Sequence, residues 1–193
     1  MVLSDKQFLI LGMVAHPPYN ELGISGTKLN HLIEERNVKV WTRLSFSSVY
    51  YILNQLEKKR LITTKETDDY DTGHSEIGAP QKMFIVTDKG ETILKETVIE
   101  YFQRSNLNYK EMNLALASAY VFEEKELLDI LYYQKTLLED RISVVRRRYT
   151  EDQSELSESD LPVHVWGLYK YAFGMLKARK KFLNEMILKI EET

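Results

Sequence analysis

Ser47, Ser48, Tyr50, Tyr51, Asn54 and Lys58 fall within one short stretch, Ser45 to Ile62 (SFSSVYYILNQLEKKRLI). Their hydroxyl, amide and ammonium groups donate and accept hydrogen bonds, the chemistry that reads base edges and phosphates in a nucleic-acid groove. Interleaved with them, Phe46, Val49, Ile52, Leu53 and Leu56 recur at steps of three and four, the period of a helix that buries one side. Ser45 stands where an N-cap belongs, so the helix is expected to start there. Between Lys39 and Lys65 there are six basic residues and one acidic residue, Glu57, a local balance of +5 in a chain whose formal net charge is −3. An acidic chain does not coat nucleic acid indiscriminately; contact with DNA has to come from this local patch.

The remaining elements are those needed to position such a helix. Ser4 with Gln7 forms a capping-box pattern ahead of Phe8, Leu9, Leu11 and Val14, and His16-Pro17-Pro18 ends that first helix. A second helix is expected from near Ser25, burying Leu29, Leu32 and Ile33. Val38 to Leu44 bridges into the Ser45 helix, giving three helices with short connections, the pattern of a helix-turn-helix unit. Two β-prone runs, Leu61 to Lys65 and Lys82 to Thr87, flank a polar insert and predict a hairpin, a wing behind the helix-turn-helix. Thr87 is placed to cap the next helix, which carries Ile93, Leu94, Val98 and Ile99.

The second half reads as helical. A segment near Tyr109 to Tyr120 precedes a long helix from about Glu123 to Tyr149, in which Leu127, Leu131, Leu138, Ile142 and Val145 repeat at helical spacing. Glu151 to Asp160 (EDQSELSESD) reads as a solvated connection, and Pro162 as the first turn of a helix capped by Ser159 or Asp160. Leu168, Ala172, Met175, Phe182, Met186 and Ile190 then form a stripe, widened by Tyr169, Leu176, Leu183 and Ile187. Two stripes of this length exceed what one helix pair covers, so the region is expected to serve as a dimer arm.

Composition excludes several classes. The 193-residue chain has 44% hydrophobic and 28% charged residues, ordinary for a folded protein of one or two domains. Without cysteine there is no disulfide framework, thiolate nucleophile or zinc ribbon. His16, His31, His74 and His164 are scattered without ligand spacing, so no metal and no cofactor is expected. No Gly-rich phosphate loop and no histidine paired with a motif serine is found, which argues against an enzyme. No apolar run approaches a membrane span and no signal peptide opens the chain, so a cytoplasmic protein without membrane attachment is expected. Arg146-Arg147-Arg148 reads as cations complementing a helix C-terminus.

FLILGMVAHPP, ISGTKLNHLIEER, VWTRLSFSSVYYILNQLEKKRLI and APQKMFIVTDKGETIL, in that order, resemble the PadR family of transcriptional regulators. The most specific match is the serine-rich start, tyrosine and Leu-Glu-x-x-x-Leu-Ile ending of the Ser45 helix. The resemblance covers Asp5 to about Leu94 closely and the longer tail by pattern, as in the larger-tailed subgroup. It implies a mainly α fold with a small β-hairpin: a winged helix-turn-helix DNA-binding domain over residues 1–100 and a helical dimerisation domain over residues 101–193. Thr27, Tyr51, and Ala79 with Gln81 depart from the family pattern, where tyrosine, proline and arginine are usual. Glu66, Asp68, Asp69, Asp71 and Glu76 make the wing acidic, leaving Lys65 and Lys82 at its base as the cations able to reach phosphate.

The expected function is that of a sequence-specific regulator of transcription, a repressor acting as a homodimer on a pseudo-palindromic operator in double-stranded DNA. The alternative is a winged-helix protein-interaction module that does not bind DNA. The candidate DNA-binding residues are Ser47, Ser48, Tyr50, Tyr51, Asn54, Lys58, Lys59, Lys65 and Lys82. The candidate dimer residues are Leu127, Leu131, Leu138, Ile142, Val145, Leu168, Ala172, Met175, Phe182 and Met186. A small apolar or aromatic effector is expected between the C-terminal helices and the winged helix, lined by Tyr132, Tyr133, Trp166, Tyr169 and Phe173.

Overall fold

In the computed structural model, which describes residues 2–42, 44–67, 81–104, 108–155 and 161–192, side-chain caps set the first helix boundaries. Ser4 accepts from the Gln7 amide and Gln7 reciprocates, so the capping box opens α1, Asp5–Ala15. Ser25 accepts from the Lys28 amide and opens α3, Gly26–Glu35, after a one-turn α2, Tyr19–Leu22, and a two-residue strand β1, Ile24–Ser25. Ser45 accepts from the Ser48 amide and opens α5, Phe46–Lys58, with a one-turn α4, Lys39–Thr42, between. The first helix ends at Ala15, ahead of the two prolines.

Both α3 and α5 end in the same way. Asn37 (φ 51°) and Arg60 (φ 59°) adopt the left-handed conformation just past the cap. The Val38 and Leu61 amides then reach back to Ile33 and Leu56, while Asn37 and Arg60 amides bond Glu34 and Glu57. This is the Schellman arrangement, and it turns the chain sharply so that Val38 and Leu61 become core.

β2, Ile62–Thr67, pairs antiparallel with β3, Gln81–Val86, in the register Ile62 to Val86 and Glu66 to Lys82. β1 adds to the other edge of β3 through Ile24 and Phe84, giving the order β1-β3-β2. The hairpin is thus as expected, and the third strand is new. Of the acidic wing residues, Asp68, Asp69, Asp71 and Glu76 lie outside the described residues, as do Ala79 and His74.

At the base of the wing one carbonyl gathers several partners. Leu61 O accepts from the Thr87 amide and from Thr87 Oγ1, each at 3.1 Å; the hydroxyl is shared with Arg60 O at 2.9 Å. Thr87 Oγ1 in turn accepts from the Gly90 amide at 3.1 Å and so caps α6, Asp88–Gln103. A Cβ at Gly90 would lie 2.0 Å from Leu61 O, so only glycine permits this approach.

The chain divides into two units, Met1–Tyr101 with Leu107–Phe122 and Phe102–Asn106 with Glu123–Thr193. In the first, α1 is buried nearly all round, and Phe8, Ile10, Leu11, Leu29, Leu53 and Leu56 have essentially no exposure. α7, Tyr109–Ala117, grouped by sequence with the second half, packs against α1 instead. Its following 3-10 turn brings the Tyr120 hydroxyl to Gly12 O at 2.5 Å, and burial of the phenol, with Glu91 nearby, pushes its pKa well up.

The second unit is an antiparallel pair, α8, Glu124–Glu155, and α9, Val163–Glu191. Glu139 bonds Lys180 at 2.7 Å, Arg179 bonds Gln134 at 2.5 Å, and Tyr132 bonds Glu191 at 2.5 Å. α8 extends past the expected end: residues 151–155 are helical rather than connecting. Their polarity does not preclude a helix, because Glu151 lies one turn from Arg147 and Asp152 accepts from the Tyr169 hydroxyl. Pro162 occupies the N-cap position of α9 itself rather than its first turn; Ser159 and Asp160 lie outside the described residues.

The buried face of α9 also differs from the expected stripe. Leu176, Leu183 and Ile187 are buried, with Leu131 and Leu138 on α8, whereas Leu168 and Met175 are 67% and 54% exposed. α9 is apolar on more than one side, and the face turned to α8 follows Tyr169, Leu176 and Leu183, each seven residues apart.

Candidate nucleic-acid interface

On α5, Val49, Ile52, Leu53 and Leu56 are buried as the periodicity requires. The opposite face carries Ser47, Tyr51, Asn54 and Lys58, all exposed, at steps of four, three and four. These four lie on one ridge spanning about 16 Å, so they can enter a groove together. Tyr51 is 65% exposed, and the Lys58 ammonium has no partner among the described residues. The Phe46 side chain, with those of Lys39, Trp41 and Arg43, lies outside what the structure describes.

The other predicted contacts are held differently. Ser48 turns back to the cap, its Oγ 2.6 Å from Ser45 Oγ. Tyr50 lies over the start of α3, where a Cβ at Gly26 would approach Cε1 of its ring to 2.5 Å. Glycine at that point lets the ring close the gap between α3 and α5 while leaving the residue 37% exposed. The Lys59 ammonium donates to Gln7 Oε1 at 3.0 Å, and Lys65 reaches Glu21 O at 3.4 Å. Lys82 pairs with Glu57 at 3.1 Å and lies 5.3 Å from the Phe84 ring centroid. Thus Ser47, Tyr51, Asn54 and Lys58 are brought together facing outward, and Ser48, Lys59, Lys65 and Lys82 are turned to internal partners.

Two residues outside the expected set fix the pose of α5. Buried Gln7 donates to Gln55 Oε1 at 2.7 Å while its oxygen receives Lys59, tying the start of α1 to the end of α5. Glu57 bonds both wing strands, through Thr64 at 3.0 Å and Lys82. The capping box announced Gln7, but its second task is tertiary and has no signal in the spacing. Glu57 was visible as the lone acid of a basic stretch.

The residues proposed for an effector fall into two groups within the hairpin. Tyr132 and Tyr133 sit near the start of α8, half-exposed. Tyr169 and Phe173 pack edge-on against Tyr149, with ring centroids at 5.0 and 5.9 Å, and Trp166 is one turn away. Seventeen residues of α8 separate Tyr132 from Tyr149, about 25 Å of helix, so the five do not line one pocket within the pair. Hydrogen bonds to Glu191 and Asp152 raise the pKa values of Tyr132 and Tyr169 respectively. The first unit separately has a partly open pocket of about 180 Å³ lined by Leu9, Gly12, Met13, His16, Arg36, Val38, Ala117 and Ser118. Among the described residues no cluster of three acidic or histidine side chains is arranged to hold a metal, and no helix is long and apolar enough to cross a membrane.

Three helices with α5 outward, followed by a two-stranded hairpin against its C-terminal end, define a winged helix-turn-helix, here joined to a long-helix pair. No family model matches the chain, and no curated protein does. Among solved structures it is similar to Bacillus subtilis PadR in complex with operator DNA, at 18% identity over 97% of this chain and 99% of that one, with a TM-score of 0.41. The same protein in complex with p-coumaric acid matches at 18% identity over 97% and 99%, with a TM-score of 0.39. smu.1604c from Streptococcus mutans UA159 matches at 18% over 94% and 98%, with a TM-score of 0.38.

Proposed function

We propose that the chain is a DNA-binding regulator of transcription of the PadR type, a cytoplasmic repressor that works as a homodimer. The observation that carries this reading is the outward ridge Ser47, Tyr51, Asn54 and Lys58 on a helix whose other face is fully buried, within a stretch of balance +5. Tyr51 and Asn54 supply base-edge hydrogen bonds, and Lys58 supplies phosphate contact without sequence information. Selection of duplexes from a random library, followed by gel shift, tests it. Asn54→Ala should relax sequence preference, whereas Lys58→Ala should weaken all duplexes alike and flatten the salt dependence by about one unit of slope. Failure to enrich any duplex overturns the reading.

The homodimer is supported by apolar side chains that α8–α9 pairing leaves in solvent: Leu168, Tyr171 and Met175 lie on one side of α9 and are all more than half exposed. A self-complementary patch of this kind pairs two reading heads on half-sites about 34 Å apart or a multiple of that. A small apolar or aromatic effector belongs to the same proposal, supported by the ring cluster Tyr149, Tyr169 and Phe173 with half-exposed Trp166 nearby. Quenching of Trp166 emission by planar ligands, absent in Trp166→Phe, measures it. The rival, a winged helix that engages protein, is favoured by the internal engagement of Lys59, Lys65 and Lys82. The duplex selection separates the two.

A further inference from the structure

Glu57 is the single acidic residue between Lys39 and Lys65, and it sits in the last turn of α5. Both of its oxygens are taken by the wing: Thr64 Oγ1 on β2 donates to Oε1 at 3.0 Å and Lys82 Nζ on β3 donates to Oε2 at 3.1 Å. Lys82 also stands across the ladder from Glu66, on the same face of the sheet. The side chains of Lys82 and Glu57 are 50% and 33% exposed, and a pair so open to water adds little stability. Its effect is instead on where the lysine's charge is spent: an ammonium at the base of a wing, beside a reading helix, is otherwise placed to meet phosphate.

From this geometry we infer that Glu57 is a specificity-determining residue, which withholds Lys82 from the DNA backbone and fixes the wing base against α5. The inference rests on the DNA-binding reading above. Backbone contact is blind to sequence, so each lysine kept from phosphate lowers affinity for every duplex and leaves discrimination to the base-facing ridge. A complex on the wrong sequence is free to settle wherever a released Lys82 finds phosphate, whereas a specific complex is held in register by its base contacts. Releasing Lys82 therefore favours wrong sequences more than right ones.

The test is gel shift over a salt series with a selected duplex and a scrambled one, using the full-length chain. Glu57→Gln keeps an oxygen for Thr64 and loses the charge. It should bind scrambled DNA more tightly, with a salt slope steeper by about one unit, a gain that shrinks about threefold to fourfold between 50 and 200 mM salt. The ratio of selected to scrambled affinity should fall. Adding Lys82→Ala to Glu57→Gln should remove the increment. Lys82→Ala made in the otherwise unaltered chain supplies the same comparison should Glu57→Gln fail to fold: it should flatten the slope by less than the unit expected of a free phosphate-contacting lysine. An unchanged slope and ratio in Glu57→Gln overturns the inference. So does a steeper slope that persists in the double variant, because the carboxylate would then act by its own repulsion. A full unit lost in Lys82→Ala alone also overturns it, since Lys82 would already be on phosphate. Absence of salt-dependent binding by the unaltered chain and every variant overturns the DNA-binding reading itself, a result distinct from the others.

Discussion

The winged-helix unit and the α8–α9 pair spend their apolar residues in opposite ways. In the first, the helix faces converge on a shared centre, and Phe8, Ile10, Leu11, Leu29, Leu53 and Leu56 are fully withdrawn from water. In the second, Leu131, Leu138, Leu176, Leu183 and Ile187 make a narrow seam, while Val163, Leu168, Tyr171, Met175 and Leu188 remain more than half exposed. Several helices around one core cover each other; two helices cover only the strip between them, and the uncovered strip is available to a partner. The seam also carries polar groups: buried Gln134 accepts from Arg179 at 2.5 Å across the pair.

The largest expected effect breaks the hairpin at its seam. Leu183→Glu places a carboxylate where there is no exposure and should cost about 4 kcal/mol or more, seen as lost helical circular dichroism. Met175→Glu, on the exposed side, should keep the helical signal and, under the homodimer proposed above, halve the mass found by light scattering; an unaltered mass would count against this face as the partner surface. Leu53→Ala should destabilise the winged-helix unit by about 3 kcal/mol in denaturant titration, because the cavity is surrounded by a shared core. Arg60→Gly should do the reverse: relieving a left-handed arginine stabilises the unit by about 1 kcal/mol in the same titration.

The smallest effect is a pH dependence confined to the hairpin. The hydrogen bond and charge of Lys180 hold the Glu139 carboxyl below its usual value of 4.5. A carboxylate whose pKa is depressed by folding contributes stability above its unfolded value and loses it as pH falls through the folded value. The stability of the α8–α9 pair should therefore fall below about pH 4.5, and Lys180→Met should flatten that part of the profile.

Local signals made much of the first unit legible. The serine caps of α1, α3 and α5 act within three residues, and the buried positions of α5 follow from one dominant stripe. What escaped the sequence depends on a partner distant in the chain. β1 is two residues long and exists because β3 has a free edge to receive it. The buried face of α9 was ambiguous because Leu168, Tyr169, Met175 and Leu176 lie side by side, and α8 chooses among them. Of the proposed reading residues, exposure was legible for Ser47, Tyr51, Asn54 and Lys58; the internal partners of Lys59 and Lys82 are tertiary and were not.

The Leu61 carbonyl, held by Thr87 and roofed by Gly90, means that the two ends of the wing are joined before the intervening residues are considered at all. Any side chain at position 90 would therefore push apart two things at once, the start of α6 and the end of α5 where it turns into β2.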